Sequence, residues 1–126
     1  MGLVTFLSAE GDCKKVVYEA VLNHGYRHID TASVYANEEV IGEALQEVFA
    51  TGKVKREEVF ISTKLWQTER DDVEAAVRRS LQKLKLDYID LYLTHWVTPK
   101  LIWEDKDFVK PTPQYKVWGE MERLVD

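Results

Sequence analysis

Apolar positions recur along the chain in two alternating periods, and that alternation predicts the architecture. Val16, Val17, Ala20 and Val21 fall at helical spacing between Asp12 and Asn23, and Gly25 follows as a left-handed stop. Val40, Ile41, Ala44, Leu45, Val48 and Phe49 form a second helical stripe, with Asn37 as its N-cap and Gly52 just past its end. A third helix is predicted from about Glu69 to Lys83, with Val73, Ala76, Val77, Leu81 and Leu84 on one side. Thr68 followed by Asp71 has the shape of a capping box there, with Asp in place of the usual Glu or Gln. A fourth helix follows Pro111-Thr112-Pro113, where Thr112 can cap and Pro113 suits the first helical position. Trp118, Met121, Leu124 and Val125 give it an apolar side.

Between these stripes lie short apolar runs that predict strands: Leu3-Val4-Thr5-Phe6, Tyr26 to Asp30, Val59-Phe60-Ile61-Ser62-Thr63, and Tyr88 to Thr94. Strands alternating with amphipathic helices indicate βαβ units and a parallel sheet. The pattern is four strands, each followed by a helix, in one α/β domain over residues 1–126 with no Gly/Ser-rich linker. The longest irregular stretch, about Val97 to Thr112, carries Trp103 and Phe108, and loops of that size are more often functional than idle.

Composition narrows the function classes. The chain is 45% hydrophobic and 31% charged, as expected of a water-soluble globular domain, and its net charge of −5 gives no reason to expect nucleic acid as a partner. The single cysteine, Cys13, cannot close an intrachain disulfide, so a reducing, cytoplasmic setting is expected. No apolar run approaches the ~20 residues of a membrane span, and no signal peptide is expected. Metal-ligand spacing is absent from the sequence.

Three ionisable residues then stand out by position. Asp30, Lys64 and His95 each fall at the C-terminal end of a predicted strand, about one βα unit of roughly 30 residues apart. They are expected at equivalent positions on successive strands, and a parallel barrel brings such positions onto the face where active sites are built. Tyr35 sits in the loop that follows Asp30 on that face. Taken singly, each has a plainer explanation: Asp30 as a turn residue, Lys64 as a solvated rim charge, His95 and Tyr35 as packed rings. Their shared register favours a site. His24 and His28 are outside it and are read as structural.

The chemistry of the group follows from its members. A tyrosine ordinarily holds its proton to about pH 10. A nearby ammonium stabilises the phenolate, and a carboxylate holds the ammonium in place. Asp30, Lys64 and Tyr35 thus make a proton donor, and His95 can orient a carbonyl oxygen. Such a site suits carbonyl reduction with hydride from a cofactor, since no side chain supplies one.

Three stretches carry a resemblance. Gly25-Tyr26-Arg27-His28-Ile29-Asp30-Thr31-Ala32-Ser33-Val34-Tyr35-Ala36-Asn37-Glu38 resembles the long signature of the aldo-keto reductases. Val59 to Trp66 resembles that family's lysine strand, and Asp87 to Trp96 its histidine strand. The chain is similar to the aldose reductase-like branch. The resemblance implies the N-terminal half, roughly (β/α)4, of a TIM-type (β/α)8 barrel, in an enzyme that reduces aldehydes and ketones with NADPH. It implies Asp30, Tyr35, Lys64 and His95 as the catalytic tetrad. It also implies Thr5 and Asp30 beside the nicotinamide, and Phe6, Val34, Trp66 and Trp96 around the substrate.

Departures from the family pattern shape the remaining expectations. Val4 replaces a glycine of the Gly-x-Gly-Thr pattern, and Val97 stands where relatives have proline. The motifs of later strands that hold the carboxamide, stack on nicotinamide and grip the adenosine phosphate have no counterpart, and a complete barrel has ~250 residues. The chain is therefore expected to be a truncated reductase with most of its NADPH site missing. The alternative is a catalytically silent half-barrel module that self-associates or complements a missing half through its open edges. A non-catalytic relative is the third reading, against which the complete tetrad speaks.

Overall fold

The structure is a computed structural model and describes residues 1–6, 10–97 and 112–125. The loop containing Trp103 and Phe108 lies outside the described residues. Four strands, β1 (Gly2–Val4), β2 (His28–Asp30), β3 (Phe60–Leu65) and β4 (Leu91–Thr94), alternate with four helices, α1 (Glu10–Asn23), α2 (Glu38–Ala50), α3 (Val73–Leu84) and α4 (Gln114–Glu122). The strands form one parallel sheet in the order β1-β2-β3-β4.

Strand alternation separates two environments. Leu3, Ile29 and Ile61 point to the helices and join Val17, Val21, Ile41, Leu45, Val48 and Leu84 in the main core. Leu65, with Tyr92 packed beside it, joins Val73, Ala76, Val117 and Met121 in a second cluster under α3 and α4. The opposite face is open: Val4, Phe60, Leu91 and Leu93 are 62%, 43%, 41% and 38% exposed. Glu38, the first residue of α2, is buried between helices and sheet, where it accepts hydrogen bonds from Thr63 (2.7 Å) and Ser80 (3.2 Å). Burial raises its pKa, an effect the two hydroxyls oppose.

Several local expectations need correction. Strands β1, β2 and β4 are shorter than their apolar runs, whereas β3 continues to Leu65. Helix α3 does not start from a Thr68/Asp71 box. Gln67–Glu69 forms a 3-10 turn, and Asp72 is the N-cap, its carboxylate accepting from the Ala75 amide at 2.9 Å. Asn37 precedes α2 but makes no capping bond. In α4 the buried residues are Val117 and Met121, while Trp118 (56% exposed) faces out, as does Val125 (83%) in the 3-10 turn Arg123–Val125 that follows. The helix stops are as expected: Gly25 and Gly52 have φ of 71° and 70°.

Candidate active site

Asp30, Lys64 and His95 gather at the C-terminal rim of the sheet, but they are not cross-strand partners. Asp30 pairs with Ser62 and Lys64 with Leu93. Lys64 is thus two residues beyond the partner of Asp30, and His95 two beyond the partner of Lys64. Two steps along a strand return to the same face, so the stagger preserves the common orientation. A long side chain closes the gap: Lys64 Nζ donates to Asp30 Oδ2 at 2.6 Å and to the Thr31 carbonyl at 2.8 Å. Asp30 ends its strand, Lys64 lies inside β3, and His95 follows β4.

Tyr35 comes from a 3-10 turn, Ser33–Tyr35, closed by its own amide on Ala32 O at 3.0 Å. Ala36 ends that turn in the left-handed region at φ 56°, a conformation that costs a residue with a Cβ roughly 1 kcal/mol. The turn is locked to its neighbours. Ser33 donates to Glu69 at 2.6 Å, and the same Glu69 oxygen accepts from the Trp66 amide at 3.0 Å. Asn37 donates to Thr5 O at 2.8 Å and accepts from Thr31 at 2.9 Å. The loops after β1, β2 and β3 are therefore one hydrogen-bonded unit. This tertiary linkage explains why Asn37 does not cap α2.

Rings surround the polar centre. Tyr35 meets Phe6 at 5.1 Å and His95 edge-on at 5.7 Å, with Lys64 Nζ 5.1 Å from its centroid. Trp66 packs against His95 at 5.3 Å and Trp96 at 5.7 Å. Phe6 is 59% and Val34 41% exposed, so both present apolar surface beside Tyr35. Thr5 is buried, and its amide and hydroxyl both bond to the Asp30 carbonyl. Its polar groups thus support Asp30, and what it can offer a ligand is apolar contact.

His95 has a pKa lowered by burial first and by the Lys64 ammonium second, with Asp30 opposing. The imidazole is therefore neutral at physiological pH. Among the described residues its buried Nδ1 has no hydrogen-bond partner. A buried N–H without an acceptor is costlier than a bare lone pair, which favours the tautomer with the N–H on Nε2, where it can donate to a ligand oxygen. A linkage effect follows. A folded-state pKa below the unfolded value of about 6.5 means that the unfolded chain binds more protons below that pH. Stability should therefore fall as pH drops from about 6.5 through the folded pKa. His95→Gln should flatten that part of a plot of urea midpoint against pH, and an unchanged slope would count against the neutral-imidazole assignment.

Three residues were missed from the sequence. His28, read as structural, bonds through Nε2 to Ser62 Oγ at 3.1 Å, and Ser62 donates to Asp30 Oδ1 at 2.6 Å. The signal was available: His28 and Ser62 lie two residues before Asp30 and Lys64, hence on the same strand face. Arg70 is buried and donates to the carbonyls of Trp96, Val97 and Thr112 and to Gln114 Oε1, joining the exit of β4 to the start of α4. Nothing in the local pattern announced it.

A parallel βα sheet with a carboxylate, an ammonium, a phenol and a neutral imidazole gathered on its C-terminal rim defines a portion of an α/β barrel. The comparisons are specific: residues 8–126 match the Aldo/keto reductase family, and the chain belongs to it. It is 44% identical over its whole length to aldo-keto reductase family 1 member A1-A of Danio rerio, covering 42% of that protein. It is 49% identical to glycerol 2-dehydrogenase (NADP(+)) of Saccharomyces cerevisiae, over 76% of this chain and 29% of that one. Aldose reductase from Schistosoma japonicum superposes with a TM-score of 0.88 at 40% identity, over 99% of this chain and 44% of that one. A Bombyx mori aldo-keto reductase in complex with NADP gives 0.84 at 40% identity, over 98% and 41%. The chain spans less than half the length of these relatives. The fold is four βα units of their barrel.

Proposed function

We propose that these residues form the proton-donating, carbonyl-orienting corner of an NADPH-dependent aldehyde or ketone reductase. The observation that carries this reading is the Lys64 ammonium, fixed by Asp30 and Thr31 O and set against the Tyr35 ring. The glycerol 2-dehydrogenase and Bombyx mori relatives, whose descriptions name NADP(+) and NADP, support the choice of cofactor.

The residues present fit the nicotinamide end of such a cofactor. Val4 offers exposed apolar surface next to Asp30, its cross-strand partner, and buried Thr5 supports the strand from behind. Asp30 would flank that end with Thr5 bracing it from behind, and the cofactor would supply hydride to the carbonyl carbon.

The chain's own residues handle the oxygen. Phe6, Val34, Trp66 and Trp96 hold the apolar part of the substrate and exclude water. His95 Nε2–H donates to the carbonyl oxygen and sets its direction. Tyr35 donates a second hydrogen bond and gives up its proton as that oxygen gains charge. Lys64 then stabilises the phenolate by direct charge attraction, and Asp30 keeps the ammonium oriented. Among the described residues the Tyr35 hydroxyl has no hydrogen bond, so it is free to serve the substrate.

Lys64→Met keeps much of the side-chain volume and removes the charge. It should lower kcat for aldehyde reduction by about 100-fold with a smaller change in KM. NADPH consumption with an aromatic aldehyde measures this, and a variant as fast as the parent would contradict the proposed role of the ammonium.

A further inference from the structure

We propose that His28 and Ser62 are positioning residues that extend the Asp30–Lys64 pair into a directional hydrogen-bond chain and thereby hold the ammonium against Tyr35. The proposal rests on the reading of Tyr35 as proton donor. It concerns residues on the barrel-interior side of Asp30, away from where substrate would sit.

Direction follows from donor arithmetic. Ser62 Oγ lies 2.6 Å from Asp30 Oδ1, and a carboxylate paired with an ammonium only accepts. The one hydroxyl proton of Ser62 therefore points at Asp30. His28 Nε2 lies 3.1 Å from the same Ser62 oxygen, which can then only accept. His28 must donate from Nε2, and the neutral ring then carries its lone pair on Nδ1. The reverse assignment would press lone pairs of Ser62 and Asp30 together at 2.6 Å.

The surroundings fit this arrangement. Ser62 is 1% exposed and is the cross-strand partner of Asp30. The His28 ring stands edge-on to Phe60 at 5.1 Å. Gly2 leaves space beside it, since a Cβ there would come within 3.2 Å of Nδ1. Each Asp30 oxygen thus has its own donor, Ser62 on Oδ1 and Lys64 on Oδ2, and the carboxylate plane cannot turn without breaking one of them. Lys64 has two N–H groups engaged, on Asp30 and Thr31 O, which leaves the third for the Tyr35 side.

NMR of the protein labelled with 15N in histidine and lysine tests the chain without using catalysis. With three histidines, His28 is assigned by substitution. The neutral His28 ring should be in the Nε2–H tautomer. Ser62→Ala should give mixed tautomers and speed exchange of the Lys64 ammonium protons with water about fivefold, the factor that one ordinary hydrogen bond represents. Ser62→Thr, which returns a hydroxyl, should restore both signals. A wild-type His28 protonated on Nδ1, or Lys64 exchange unchanged in Ser62→Ala, would overturn the proposal. The proton-donor reading fails separately, if Tyr35→Phe leaves carbonyl reduction intact.

Discussion

Phenylalanine at position 35 is expected to lower kcat for carbonyl reduction by roughly 100- to 10,000-fold, the range spanned by removal of a positioned general acid. The effect should fall on kcat rather than KM. The ring that packs on Phe6 and His95 is retained, so the apolar wall proposed to hold substrate is unchanged. His95 is a poor substitute donor, because burial and Lys64 both favour its neutral form. Stability should move by no more than about 0.5 kcal/mol, since the lost hydroxyl has no hydrogen bond among the described residues. Initial rates at saturating aldehyde and excess NADPH, together with a urea melt of the same preparation, separate the two effects. A variant within a few-fold of wild type would remove Tyr35 from the mechanism. A collapse of stability would mean that the hydroxyl is structural.

The largest expected effect on folding comes from Gly42→Ala. Helices α2 and α3 approach at this glycine so closely that an added Cβ would meet the backbone carbonyl of Lys83 and lie 2.7 Å from the carbonyl carbon and oxygen of Leu84. Backbone atoms have no alternative rotamer. The helices would have to separate, loosening the packing of Leu45, Val48 and Leu84, all fully buried. Overpacking of this kind costs on the order of 3 kcal/mol, or roughly 10 °C in Tm for a domain of this size. Gly119→Ala is the control. Nothing lies within 4 Å of a Cβ there, and it occupies a position in α4, so alanine should be neutral or stabilise by up to about 1 kcal/mol. Thermal melts of both variants decide the matter, and a Gly42→Ala protein that melts with wild type would refute the close approach.

The core and the site were not equally legible in the sequence. Helical and strand periods of Val17, Val21, Ile41, Leu45 and Ile61 led directly to the parallel βα layers, because burial on one face leaves a periodic trace. Trp118 broke the pattern by size: it reads as core, yet it lies outside and donates to Glu122 at 2.9 Å. Contacts between loops overrode local capping signals. Asn37 bridges Thr5 and Thr31 instead of capping α2, and Glu69 binds Ser33 and Trp66 across the turn where α3 was expected to begin. Within the site, strand spacing brought Asp30, Lys64 and His95 together, but it could not show the two-residue stagger. His28 and Ser62 were passed over because a lone histidine and a strand serine carry no signal until the face they share with Asp30 is considered.

The most direct measurement is the fate of the hydride. The protein should be incubated with an aldehyde and NADPH deuterated at its transferable position, and the product alcohol examined by mass spectrometry. The account predicts one deuterium on the former carbonyl carbon per NADPH consumed, with the hydroxyl proton drawn from solvent through Tyr35. Alcohol without the label, formed while NADPH is consumed, would contradict it.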